Sequence, residues 1–89
     1  MDKPRRPAPK SPTTIDRLIG KRIRAEREAA GLGQVALAAE LGITFQQIQK
    51  YENGKNRVAA ARLFEICRIL KVPIATMFEE RLSKEVAAR

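Results

Sequence analysis

Thr44-Phe45-Gln46-Gln47-Ile48-Gln49-Lys50-Tyr51-Glu52 reads as a short helix with two unlike faces. At ~100° per residue, Ile48 and Tyr51 fall on one side. Gln46, Gln49, Lys50 and Asn53 stand at i, i+3, i+4 and i+7 on the other. One face can therefore be buried while the opposite one carries long amides and an ammonium. A glutamine tip offers a paired donor and acceptor, the chemistry that reads a base edge, adenine above all, in a DNA major groove. A purely solvated stripe would more usually mix Glu, Lys and Arg. Thr44 can cap this helix with its hydroxyl, and Gly54 supplies a stop after Asn53.

Outward from this helix the pattern stays helical. Ile15, Leu18, Ile19 and Ile23 repeat at helical spacing, and Ala29-Ala30 lead into Gly31, a natural C-terminal stop. A second short helix is predicted from about Gln34 to Leu41, burying Val35 or Leu37, Ala38 and Leu41, with Gly42 ending it. Beyond the loop Gly54-Lys55-Asn56-Arg57, a fourth helix from about Ala60 to Leu70 offers Leu63, Phe64, Ile66, Cys67 and Leu70 to a core. A fifth opens with Pro73, tolerated at a first helical position, and is predicted to bury Ile74, Met77 and Phe78. Leu82 and Val86 continue that spacing into the tail. No strand pattern and no internal repeat is present. The fold class is all-α, a compact five-helix bundle over 15–78, preceded by 1–14 and followed by a helical extension or tail over 79–89.

Composition narrows the function classes. Eighty-nine residues with a formal charge of +8 make one small domain that favours an anionic partner such as nucleic acid or an acidic membrane surface. Histidine is absent, which excludes imidazole metal ligands and imidazole general bases. With no glycine-rich phosphate loop and no catalytic cysteine signature, neither catalysis nor a cofactor is expected. Cys67 is the single cysteine, so an internal disulfide is impossible, which suits a reducing cytoplasm. Free cysteine on an apolar helix face behaves as a small hydrophobe. No apolar run reaches the ~18 residues of a membrane span. Residues 1–14 hold Pro4, Pro7, Pro9 and Pro12, with Lys3, Arg5, Arg6 and Lys10 against Asp2. That segment is expected to be disordered or extended, either as a solubilising tail or as a mobile basic arm on DNA.

Helix, Gly31, short helix, Gly42, then a polar-faced helix is also the layout of a helix-turn-helix unit. In detail, Ile19-Gly20-Lys21-Arg22-Ile23-Arg24 with Arg27 and Gly31-Leu32-Gly33-Gln34, then Leu37-Ala38-Ala39-Glu40-Leu41-Gly42-Ile43-Thr44, then Ile48 and Tyr51-Glu52-Asn53-Gly54-Lys55 resemble the Xre/Cro family of lambdoid phage repressor DNA-binding domains. Leu63, Ile66, Leu70, Val72-Pro73 and Met77-Phe78 resemble its closing helices. The resemblance implies that the third helix enters the major groove while the second crosses the backbone. It implies that Phe45, Gln46, Gln49 and Lys50 face the bases, with Phe45 either padding the contact between helices or meeting a thymine methyl. Gln34, Thr44, Asn53, Lys55, Asn56 and Arg57 would then hold phosphates, Gln34 and Thr44 beside helix N-termini that favour anions. Arg27 and Glu52 occupy positions that pair in related repressors and would orient the recognition helix. Gly33 and Ala59 stand where the family has side-chain caps, and Lys71 where it often has a glycine. The implied function is a cytoplasmic, bacterial or phage-encoded transcriptional regulator. It would be a repressor binding a pseudo-palindromic operator as a homodimer, with Phe78, Leu82 and Val86 as candidates for the dimer contact. An antitoxin-like module that binds DNA and a protein partner is the alternative.

Overall fold

The computed structural model describes residues 13–79. It contains α1 (Thr14–Ala29), α2 (Gln34–Leu41), α3 (Phe45–Glu52), α4 (Ala60–Leu70) and a closing 3-10 helix (Ile74–Phe78). The basic arm and the helical tail anticipated from the sequence lie outside the described residues, apart from the tail's first residue, Glu79, and the arm's last two positions. Those two belong to the fold: Thr13 caps α1 and Thr14 opens it.

Each boundary has a local cause. The Thr13 hydroxyl accepts from the Asp16 amide while the Asp16 carboxylate takes the Thr13 amide, a reciprocal capping box. Gly42 ends α2 at φ 72°; its amide donates to Ala39 O and that of Ile43 to Ala38 O, which closes the helix and leaves three residues before α3. Thr44 then starts α3 by accepting from the Gln47 amide at 3.2 Å. Gly33 and Ala59 begin α2 and α4 with no side-chain cap.

Lys71 ends α4 at φ 61°, in the left-handed region, with the Val72 amide on Cys67 O at 3.0 Å. A Cβ there crowds the following carbonyl, a strain that glycine lacks. Lys71→Gly is therefore expected to raise stability by about 0.5–1 kcal/mol, after allowing for the greater chain entropy of an unfolded glycine; urea denaturation would measure it.

The core gathers Ile23, Leu37, Ile48, Ile66 and Met77, all fully buried, with Ile19, Ala38, Tyr51, Leu63, Cys67 and Leu70 around them. Every element contributes, so none of these short helices buries its apolar face alone. Burial pushes the Cys67 thiol up, and Glu26 adds to the shift, consistent with an inert packing role.

Several sequence expectations are corrected. The described residues hold four α-helices, and the fifth element is a 3-10 helix, in which the Thr76 amide bonds to Pro73 O and the Glu79 amide to Thr76 O, i to i+3, while Thr76 O also accepts the Arg22 Nε–H at 3.0 Å. Of its apolar residues only Met77 is buried; Ile74 and Phe78 are exposed. Phe64 and Val35 are exposed too, each about 100° off the buried stripe of its helix. Ile15 shares the side of Ile19 but sits a turn beyond the core, and is exposed.

Candidate nucleic-acid interface

Three helices meet around one carboxylate. The Arg27 Nε–H donates to Glu52 Oε2 at 2.6 Å and Nη2–H to Oε1 at 2.9 Å, while Nη1–H reaches Leu32 O at 2.8 Å. The Gln34 Nε2–H donates to Glu52 Oε1 at 3.0 Å. Arg27 comes from α1, Gln34 from the first position of α2 and Glu52 from the last of α3. Both charged side chains are buried, and Glu52 holds the Arg27 pKa up against the effect of burial. A buried pair survives only when hydrogen bonds occupy its remaining polar atoms, and here they do. The network ties the end of α3 to α1 and to the first position of α2.

Two further points of α1 grip the same region. Gly20 lies so close to the end of α3 that a Cβ would come within 2.6 Å of Glu52 O and nearer still to Tyr51 O. Asp16 receives the Arg57 guanidinium, with Nε–H at 3.1 Å from Oδ1 and Nη2–H at 3.2 Å from Oδ2. Asp16, Gly20, Ile23 and Arg27 follow helical spacing, and all four are buried. One stripe of α1 thus holds α3 at its C-terminal end and the loop beyond it.

Held this way, α3 turns Gln46, Gln49, Lys50 and Asn53 to solvent while Ile48, Tyr51 and Glu52 are buried. Phe45, at the head of the helix, is 40% exposed and stands outside the core cluster. Thr44 and Lys55 are exposed and Asn56 half-buried. The Asn53 Oδ1 accepts from the Lys55 amide at 3.1 Å, and the Lys55 and Asn56 amides both donate to Lys50 O, so the exit loop is internally ordered. The expected base-facing set is therefore brought together on one surface. Gln34 and Arg57 are not free of the protein: the first is tied to Glu52 and the second to Asp16.

Sequence reasoning missed Asp16, Gly20 and the close approach at Gly54. Thr13-Thr14-Ile15-Asp16 was the available signal, a hydroxyl followed three residues later by an acid before an apolar run. Arg57 and the Thr13 amide hold the Asp16 carboxyl at about 2, below its ordinary 3.8. Because the folded value is depressed, this contribution is complete above the unfolded pKa and is lost as pH falls through 3.8 toward 2. We expect Asp16→Asn to remove roughly 1–2 kcal/mol at neutral pH and almost nothing near pH ~2, read as urea midpoints of the two proteins at both pH values.

A family model described as helix-turn-helix matches residues 23–77, which spans α2, the Gly42 turn and α3. The chain belongs to the Xre/Cro-type helix-turn-helix family. Among relatives of this family, an uncharacterized HTH-type transcriptional regulator of Sinorhizobium medicae is 54% identical over 71 residues, covering 80% of this chain and 51% of the relative. The chain thus spans about half the length of the curated relatives it matches first. In three dimensions it is similar to the clp gene regulator ClgR from C. glutamicum, at TM-score 0.74 and 19% identity over 81% of this chain and 94% of that one. The restriction-modification controller protein C.AhdI from Aeromonas hydrophila aligns at TM-score 0.65 and 24% identity, over 68% and 92%. At such identities the structural likeness speaks for the fold alone. Among the described residues no helix is long and apolar enough to cross a membrane.

Proposed function

We propose that this chain binds double-stranded DNA sequence-specifically as a transcriptional regulator, laying α3 in the major groove. What carries this reading is the exposed Gln46, Gln49 and Lys50 stripe on a helix whose opposite face is buried and whose end is clamped by α1. Rigid placement matters, since a bidentate amide–base contact discriminates by ~1–3 kcal/mol only when its geometry is held. Thr44 and the exit-loop residues Asn53, Lys55, Asn56 and Arg57 contact the phosphates that flank the groove. Phe45, exposed at the helix entrance, meets a thymine methyl. Lys3, Arg5, Arg6 and Lys10, ahead of Thr13, add charge to the same partner.

One domain offers two or three base contacts, too few for operator specificity, so we propose a homodimer on a pseudo-palindrome with half-sites ~34 Å apart. Phe78, left 57% exposed, is the described residue best suited to meet a second copy. Occluding a promoter requires binding alone, so repression is the simplest regulatory mode.

In vitro selection of bound duplexes tests binding, palindromy and spacing together. On the selected site, Gln46→Ala should weaken binding about tenfold or more, while binding to random DNA stays nearly unchanged. Equal losses on both DNAs would remove Gln46 from base reading. Monomer alone in sedimentation, free and on DNA, would refute the dimer.

A further inference from the structure

The Asp16–Arg57 pair couples the N-terminal end of the fold to the loop after α3, across 41 residues of sequence. Asp16 is buried and Arg57 is not: their side chains are 5% and 56% exposed. The guanidinium uses its Nε and Nη2 edge for the carboxylate. An arginine held by that edge still has donors on its far side, in a fixed plane. The carboxylate is itself anchored, since Oδ2 also accepts from the Thr13 amide at 2.7 Å and the Thr13 hydroxyl at 2.9 Å. The loop has little freedom to carry Arg57 elsewhere, because Gly54, at φ 76°, is pressed against the Arg17 backbone so closely that a Cβ would lie 2.9 Å from Arg17 Cα.

We propose that Asp16 is a positioning residue for DNA binding, holding the Arg57 guanidinium in the plane in which its outer donors meet a backbone phosphate. The proposal rests on reading the exit loop as a phosphate-contact loop. A flexible arginine loses rotamer freedom when it docks, whereas one already held by a carboxylate loses less. An acid beside DNA would otherwise only repel it, so the two possibilities predict opposite signs.

The probe is a mixed-sequence DNA duplex, titrated by fluorescence anisotropy at several salt concentrations below the melting temperature of each variant. If Asp16 positions Arg57, D16N binds about three- to tenfold more weakly than wild type, although it is less negative. R57K, which keeps the charge and the capping box but loses the planar fork, weakens binding to a similar degree with an unchanged salt slope. R57A weakens binding and lowers the salt slope by about one, and D16N/R57A is no weaker than R57A alone. Tighter binding by D16N, wild-type binding by R57K, or additive losses in the double variant would each overturn the positioning role while leaving DNA binding intact. Absence of wild-type binding at every salt concentration would instead overturn the DNA reading and the positioning role with it. R57K keeps the test decisive should D16N fold poorly, because it leaves the Asp16–Thr13 cap in place.

Discussion

Gly20→Ala is expected to destabilise this domain by about 2–3 kcal/mol, lowering its melting temperature by roughly 10–20 °C. Taken by itself, α1 would gain from the change, since alanine is favoured over glycine inside a helix by ~1 kcal/mol. The sign is decided by what lies opposite. A Cβ at Gly20 meets the backbone carbonyl oxygens of Tyr51 and Glu52, which close α3 and cannot move aside as a flexible side chain would. Either α3 shifts off α1, straining the Arg27–Glu52 pair, or the helices part and open the core around Ile23 and Ile48. A stability of ~5 kcal/mol, at the low end for small domains, leaves little reserve for either. A melting temperature equal to wild type, or above it, would show that α1 and α3 do not touch in this way.

The second large effect concerns Glu52. Glu52→Ala removes the partner of Arg27 and an acceptor of Gln34 together, stranding a guanidinium that is almost wholly buried. Breaking such a pair costs ~3–5 kcal/mol, while replacing both members by apolar residues is often neutral. The double substitution Arg27→Met with Glu52→Leu should therefore regain most of the stability lost by Glu52→Ala, measured by urea denaturation. Its DNA binding should nevertheless stay weaker than wild type, because an apolar contact fills the space without fixing the angle at which α3 leaves the core. A double variant as unstable as the single one would mean that the pair itself, and not its rupture, governs stability. Wild-type DNA affinity in the double variant would deny the pair any orienting role.

Most of the element layout was legible because it depends on local chemistry. Gln34 and Leu41 bound α2 and Ala60 and Leu70 bound α4 in both the sequence pattern and the structure, since Gly42 and a change of apolar periodicity mark them. The fifth element differs from the expected α-helix because apolar spacing at Ile74, Met77 and Phe78 does not say whether the backbone bonds close from i to i+3 or from i to i+4. For a related reason Phe64 was over-counted as core, and the choice between Val35 and Leu37 stayed open until the structure buried Leu37. Apolar residues on neighbouring positions compete for one stripe, and the packing of the other helices chooses between them. Gln34 and Arg57 are polar residues at plausible phosphate positions, but spacing along the chain could not reveal that Glu52 and Asp16 lie within hydrogen-bond reach of them.

The helix from Phe45 to Glu52 therefore divides between the two levels. Its existence, its Thr44 cap and the separation of Ile48 and Tyr51 from Gln46, Gln49 and Lys50 follow from sequence alone, because a helix of fixed pitch sorts residues by spacing. Its setting in the fold comes with the contacts that Asp16, Gly20 and Arg27 on α1 make to its C-terminal end and to the loop beyond it. Those residues lie 25 or more positions before the ends they hold. Contacts over such separations depend on the path of the whole chain, and only the folded molecule specifies it.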